Sequence, residues 1–273
     1  MANVSEGANE PLLEPMVRAC GASLLDLHSD RGHSRSVFTM AGEAEAVQAA
    51  ARELARTAVA RLDLGRHSGA HPRFGVLDVV PWVALEGWPL HDAGPGPAAG
   101  LARRARASFA SWAARELGLP VFLYGPERSL PEVRAQAWRG LAPDAGPSHP
   151  HPTAGSVAVG WRPLLVAYNL WLREPDLARA RQVAAALRSP RVRALAFRLG
   201  EDVQVSCNLV DPVACGPSAV YDQVAGMVPV KRAELVGLVP QVVLGRVDAG
   251  RWAQLDLGPG RTIESRLRPG PWA

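Results

Sequence analysis

The sequence predicts an α+β protein made of two similar halves, and three observations carry that reading. Apolar strand-like runs and helical patterns follow one another as strand pair, helix, strand, helix, strand, and the series recurs in the second half. A Pro/Gly-rich stretch, residues 125–155, ends in PDAGPSHPHPTAG and separates the two series. With 273 residues, 48% hydrophobic and 21% charged, the chain can bury a sizeable core.

Residues 10–19 carry the pattern of a short helix. ASLLDLHSD and RSVFTMAG are apolar runs split by polar and glycine residues, as in a strand–loop–strand unit. EAEAVQAAARELARTAVARL is alanine-rich and free of Gly and Pro, which predicts a strong helix. VLDVVPWVAL predicts a strand, and Pro81 inside it points to an edge or a bulge because proline cannot donate to the ladder. Residues 101–117 predict an amphipathic helix stopped by Gly118, and LPVFLYG a buried strand. In the second half SVAVGW and PLLVAYNLWL predict a strand pair. Residues 175–187 then predict a helix, 192–199 and 204–210 strands, 218–227 a helix and 234–239 a last strand. This places the division between residues 1–155 and residues 156–273.

The formal charge is +4, and nearly all basic residues are arginine, Lys231 being the one lysine. They are scattered rather than gathered on one face with aromatic neighbours, so a nucleic-acid surface is not expected. A mild attraction for carboxylate-rich small molecules fits better. Three cysteines, Cys20, Cys207 and Cys215, lie among apolar or small residues without disulfide spacing and read as reduced core thiols. No apolar run has transmembrane length and MANVSEGANE has no secretory apolar region, so no membrane partner is expected and the reading is a cytoplasmic protein.

The chemistry is concentrated in HSGAHPRFG, residues 67–75. Of seven histidines, six fall in apparent loops: His28, His33, His67, His71, His149 and His151; His91 stands apart. His67 and His71 are four apart, but Gly69 and Pro72 argue against the helix that would make them a zinc pair. Zinc or manganese held from several loops stays open at this point. An acid/base histidine fits the setting better, because imidazole titrates near ~6.5 and glycines let a ligand approach. Arg73 could fork onto a carboxylate.

NVSEG, LLDLHSDRGHSRSVFTMAG, HSGAHPRFGVLDVVPW, VFLYG, DAGPS, LVAYNLWL, QVSCNLVD and ELVGLVP occur in this order along the chain. Together they resemble the glutamate formimidoyltransferase family, the formiminotransferase part of formiminotransferase-cyclodeaminase, over nearly the whole length. The resemblance implies two ferredoxin-like α/β subdomains, mixed sheets facing each other across a cleft and helices outside. It implies transfer of a formimino group from N-formimino-L-glutamate to N5 of tetrahydrofolate, in histidine degradation and one-carbon metabolism. Tetrahydrofolate would be a co-substrate, no metal is called for, the partners are small molecules, and a homodimer is compatible with the family.

The same resemblance assigns the catalytic role to His71, in His-Pro-Arg; His67 in the same loop, and His28 and Asp30 where the family carries a carboxylate, are the candidates for supporting it. It lays the folate segment on Gly146, Pro147, Ser148, His149, Pro150, His151, Pro152, Thr153, Ala154 and Gly155, with Asp144 just ahead. Arg35, Arg73 and Arg162 sit in matching motifs and are candidates for the carboxylates of donor and folate. Gly155→Val is expected to crowd the flat pterin without unfolding the protein. Asn3, Ser206 and Asn208 read as polar contacts or strand-end caps.

Two departures stand out. Where the family reads LLDVDAG this chain reads LLDLHSD, so His28 replaces an Asp that could orient the catalytic histidine, and Asp30 is the nearest substitute. Asp26 and His28 would share a strand face. The apolar strand that precedes the family's NFSEG is missing ahead of MANVSEG, which leaves either an upstream start or a sheet with an unpaired edge. Two other readings remain: a homologue with a different one-carbon or amidine reaction, motivated by His28, and a non-catalytic folate-binding protein.

Overall fold

The computed structural model describes residues 1–85 and 97–267, the side chains of residues 97 and 98 excepted. His91 lies outside the described residues. The chain divides into two compact units, Met1–Pro163 and Leu164–Ala273.

The first unit opens β1(Ala2–Val4) α1(Glu10–Cys20) β2(Leu24–Asp30) β3(Arg35–Met40) α2(Ala44–Arg61) β4(Leu77–Trp82). These strands pair antiparallel in the order β2-β3-β1-β4. It continues with α3(Pro97–Glu116), β5(Val121–Tyr124), α4(Leu130–Gln136) and β6(Val157–Trp161). β6 runs parallel to both β4 and β5, so the sheet ends as six strands, β2-β3-β1-β4-β6-β5. The second unit is β7(Val166–Leu172) α5(Leu177–Leu187) β8(Val192–Leu199) β9(Asp202–Leu209) α6(Pro217–Ala225) β10(Val230–Val236), ordered β10-β7-β9-β8. Both units therefore hold a βαββαβ unit with its fourth strand beside its first, the ferredoxin-like pattern. The second sheet is antiparallel throughout, not mixed as expected.

Burial explains the layering. In the first unit Leu13, Met16, Leu54, Phe109 and Ala113 come from three helices and close on Phe38, Leu77, Val80 and Val159 of the sheet. On the other face Val133 of α4 covers Val79, Phe122, Tyr124 and Ala158. In the second unit Ala180, Val183 and Leu187 of α5 and Val220 and Val224 of α6 are buried. Its sheet carries a polar cluster as well: Glu234 Oε2 accepts from Asn169 Nδ2 at 3.1 Å and Trp171 Nε1 at 2.9 Å.

Several expectations change. The boundary falls after Pro163 rather than Gly155, because Val157–Trp161 pairs with β4 and β5 and is a strand of the first sheet. The stretch 125–155 is not all loop: it contains α4, held by a capping box in which Ser129 and Glu132 exchange hydrogen bonds. β4 lies between β1 and β6, so Pro81 marks no edge. Its carbonyl, accepting from the Met1 amino group at 3.3 Å, faces the β1 side just beyond Ala2, so the missing N–H points the same way and costs no bond to β6. Met1–Val4 also settles the N-terminal edge: three residues form β1 between β3 and β4, and no edge is left there. The last strand begins at Val230, earlier than expected. Cys20 and Cys207 are buried, and burial pushes both thiols up to about 12; Cys215 is half-buried.

Candidate active site

One end of the first sheet gathers NVSEG, the β2–β3 turn and the His-Pro-Arg loop. The end of β1, the β2–β3 turn and the starts of β4 and β6 meet there, because β1 is antiparallel to both β3 and β4 while β6 is parallel to β4. The NVSEG residues act as scaffold. Ser5 donates to Gly75 O at 2.8 Å, Glu6 Oε1 accepts the amides of Gly7, Ala8 and Asn9, and a side chain at Gly7 would strike Asp30 O.

His67 and Arg73 fix the loop ahead of β4. His67 Nε2 donates to Ser34 O at 2.9 Å, and the Arg73 guanidinium lies against the same imidazole, close to both ring nitrogens. Arg73 also donates to His71 O at 2.7 Å and 3.1 Å and to His33 O at 3.4 Å. Its donors are thus directed to the loop itself, a correction to its expected place on a substrate carboxylate.

The half-buried His71 ring has one edge against His33, with centroids 5.8 Å apart. Its Nδ1 lies 2.6 Å from Pro72 O. A carbonyl only accepts, so Nδ1 carries the proton and Nε2 of the neutral ring carries the lone pair. Burial first, and the Arg35 guanidinium second, lower the His71 pKa from 6.5 to about 3; the Pro72 carbonyl and Asp78 act in the opposite direction. The neutral form therefore dominates near pH 7.

Asp78, fully buried, is the anion of the site. Its carboxylate accepts from Phe74 N at 2.6 Å, Arg134 Nη2 at 2.9 Å and Arg35 Nη1. Burial by itself would raise the Asp78 carboxyl, but the two guanidiniums and the amide outweigh it and hold it below its usual value. Arg35 also donates to Asn3 Oδ1 at 3.2 Å. Arg35 is thus paired internally, not open to a substrate as expected. Asp30, expected beside His71, accepts the His33 amide at 2.8 Å and caps the turn instead. His28 lies opposite Val37 and Asp26 opposite Thr39, so the two do share a face.

The stretch 144–156 joins this loop through backbone contacts. Leu64 N donates to Thr153 O at 2.7 Å, Val76 N to Ala154 O at 3.0 Å and Ser156 N to Phe74 O at 3.0 Å. His151 Nδ1 accepts the Ala154 amide at 3.0 Å and closes the turn. Asp144 is held by both Arg128 nitrogens, at 2.9 and 3.0 Å, and by the Leu123 amide. Gly155, at φ +72°, is buried with Phe74 O 2.4 Å from where a Cβ would stand. Gly146, at φ +86°, is likewise pressed on Leu119 O. These two glycines serve close backbone approach, which corrects the expectation of a ligand-facing Gly155. Ser148, His149, Pro150, Pro152 and Thr153 are exposed beside them, with Pro147 half-buried. Arg162 stands apart, past the far end of β6, donating to Pro163 O at 2.9 Å. Ser206 and Asn208 belong to β9 of the second unit.

The profile of the formiminotransferase domain, N-terminal subdomain, matches residues 1–162, ending one residue short of the first unit's boundary. The chain belongs to the formiminotransferase family. It is 33% identical to glutamate formimidoyltransferase of Streptococcus pyogenes serotype M1 across 89% of this chain and 88% of that protein. It is 31% identical to glutamate formimidoyltransferase of Thermoplasma acidophilum, again across 89% and 88%. Formimidoyltransferase-cyclodeaminase of Sus scrofa is 33% identical, but the match spans 49% of its length. The end of the sheet just described lies within the matched residues 1–162.

Two members of this cluster escaped the sequence reading, Asp78 and Arg134. A lone acid inside the apolar run VLDVVPW was the available signal, since a buried carboxylate requires cationic partners. Nothing local marks Arg134, 56 residues away. Among the described residues no three His, Cys, Asp or Glu side chains are placed to hold a metal ion, and no helix is long and apolar enough to cross a membrane.

Proposed function

We propose that the chain transfers the formimino group of N-formimino-L-glutamate to N5 of tetrahydrofolate, giving 5-formiminotetrahydrofolate and L-glutamate. The observation that carries this reading is the His71 ring, neutral, with Nδ1–H on Pro72 O and the lone pair on Nε2, in the loop whose Phe74 carbonyl accepts the Ser156 amide. The N5 lone pair attacks the amidine carbon, a C–N bond forms, and the N5 proton passes to His71 Nε2. The imidazolium then gives that proton to the glutamate nitrogen as the old C–N bond breaks. Base and acid are one group used twice. No step calls for a metal or a covalent enzyme intermediate. Folate lies against the exposed side of residues 148–153. Arg35 and Arg134 place more positive than negative charge around His71, with Asp78 the opposing anion, which favours a dicarboxylate donor. Buried free thiols agree with a cytoplasmic setting.

The test is the purified chain with tetrahydrofolate and formiminoglutamate, following 5-formiminotetrahydrofolate. Turnover supports the reading, while folate binding without turnover favours a binding protein. His28→Asp, restoring the family carboxylate, is expected to raise turnover if His28 faces the reacting groups. Equal rates make His28 a bystander, a role consistent with Asp78 supplying the carboxylate that acts on His71.

The pH dependence has a definite sign. A base works unprotonated, and a depressed histidine stays unprotonated as pH falls through 6.5. The acidic limb of kcat/KM is therefore expected well below 6.5. Bound carboxylates stabilise the imidazolium, so the limb of kcat should lie higher than that of kcat/KM. A limb of kcat/KM at 6.5 or above contradicts the depressed ring.

A further inference from the structure

We infer that Arg134 and Asp78 are positioning residues that set the tautomer of His71. Arg134 joins two acceptors: Nη1 donates to Pro72 O at 3.0 Å and Nη2 to Asp78 Oδ2 at 2.9 Å. Pro72 O is also the acceptor of His71 Nδ1–H. Asp78 in turn fixes Phe74 N at 2.6 Å, two residues past that carbonyl. The carbonyl is thereby held from both sides, and its direction decides which ring nitrogen keeps the proton.

The bridge itself is rigid. α4 is anchored by its capping box and by Val133 in the core, and the Arg134 guanidinium lies 4.9 Å over the Phe74 ring. Arg35, tied to Asn3, balances Asp78 from the other side, so the carboxylate keeps a partner when Arg134 is removed. A guanidinium offers two nitrogens in a fixed plane, which suits two acceptors at once. The formimidoyl-transfer reading requires Nε2 as the base, and this inference rests on it. With the proton on the wrong nitrogen, the base faces the reaction without its lone pair.

The tautomer is measured without substrate, by the ring-nitrogen shifts of histidine-labelled full-length protein near pH 7, with His71 assigned by comparison with His71→Gln. The wild type should show protonated Nδ1 and unprotonated Nε2. In Arg134→Ala, Nδ1–H should become the minority form. kcat should fall about 10–100-fold, the scale of a misplaced catalytic group, with KM for both substrates little changed. Arg134→Lys, which keeps the charge beside Asp78 but not the planar fork, should shift the tautomer in the same direction and covers the case of a poorly folded alanine variant. An Nε2–H ring in the wild type, or an unchanged tautomer in both folded variants, overturns the inference whatever kcat does. If the wild type fails to turn over formiminoglutamate, the functional reading falls while the tautomer result still decides this one.

Discussion

His71→Ala is expected to lower formimidoyl transfer by ~10²-fold or more while the fold and the folate affinity persist. General acid/base catalysis by a placed group contributes ~10²–10⁴-fold, and here one ring performs both proton transfers. The loop does not depend on that ring. Arg73 grips the His71 and His33 carbonyls, and Phe74 N is held by Asp78, all through groups that remain in the variant. Because the proton transfers belong to the transition state, the loss should appear in kcat rather than in KM. Steady-state rates and a melting curve on the same preparation check it. A folded variant within tenfold of wild type removes His71 from the chemistry. His67→Ala should be milder, since His67 acts on the loop through Ser34 O and Arg73.

The helices and most strands were legible because apolar spacing reports a buried face directly. Ala50, Leu54 and Ala58 fall on one side of α2, and all three are buried. The repeated strand–helix order was legible for the same reason. Pairing between distant strands was not. Val157–Trp161 reads locally like the strand after it, and only its parallel register with β4 and β5 assigns it to the first sheet. α4 carried its signature, Ser129 to Glu132 with a proline between, but Pro/Gly-rich flanks concealed a helix of 7 residues.

The site divides along a similar line. The short His-Pro-Arg loop announces itself because histidine, arginine and glycine together are uncommon in a core. Which acceptor each arginine takes is a property of three-dimensional packing. Arg35 and Arg73 have the chemistry for a substrate carboxylate, yet a buried acid and loop carbonyls stand closer. Asp78 shows the converse. Its sequence neighbours are apolar, and its role comes from an arginine on β3 and another on α4.

Gly155→Val is expected to destabilise the protein by about 3 kcal/mol or more, combining left-handed backbone strain with overpacking against main chain. The added carbon would stand 2.4 Å from Phe74 O, 2.7 Å from Leu64 Cδ2 and 3.0 Å from Gly75 Cα. Two of these neighbours are backbone and cannot swing aside. A β-branched residue at φ +72° compounds the strain. Gly118 supplies the control, because it too has a positive φ, +61°, yet nothing lies within 4 Å of its missing Cβ. Alanine at Gly118 therefore reports backbone strain alone, and the excess loss for alanine at Gly155 reports the close approach. Urea unfolding of the four proteins measures both. The turn around Gly155 is bonded to Phe74, three residues from His71, so the folded fraction of Gly155→Val should also lose turnover. Equal losses for the two alanine variants would show that the turn yields to a side chain. If, in addition, Gly155→Val kept wild-type stability but bound tetrahydrofolate more weakly, the glycine would face the ligand and not the Phe74 backbone.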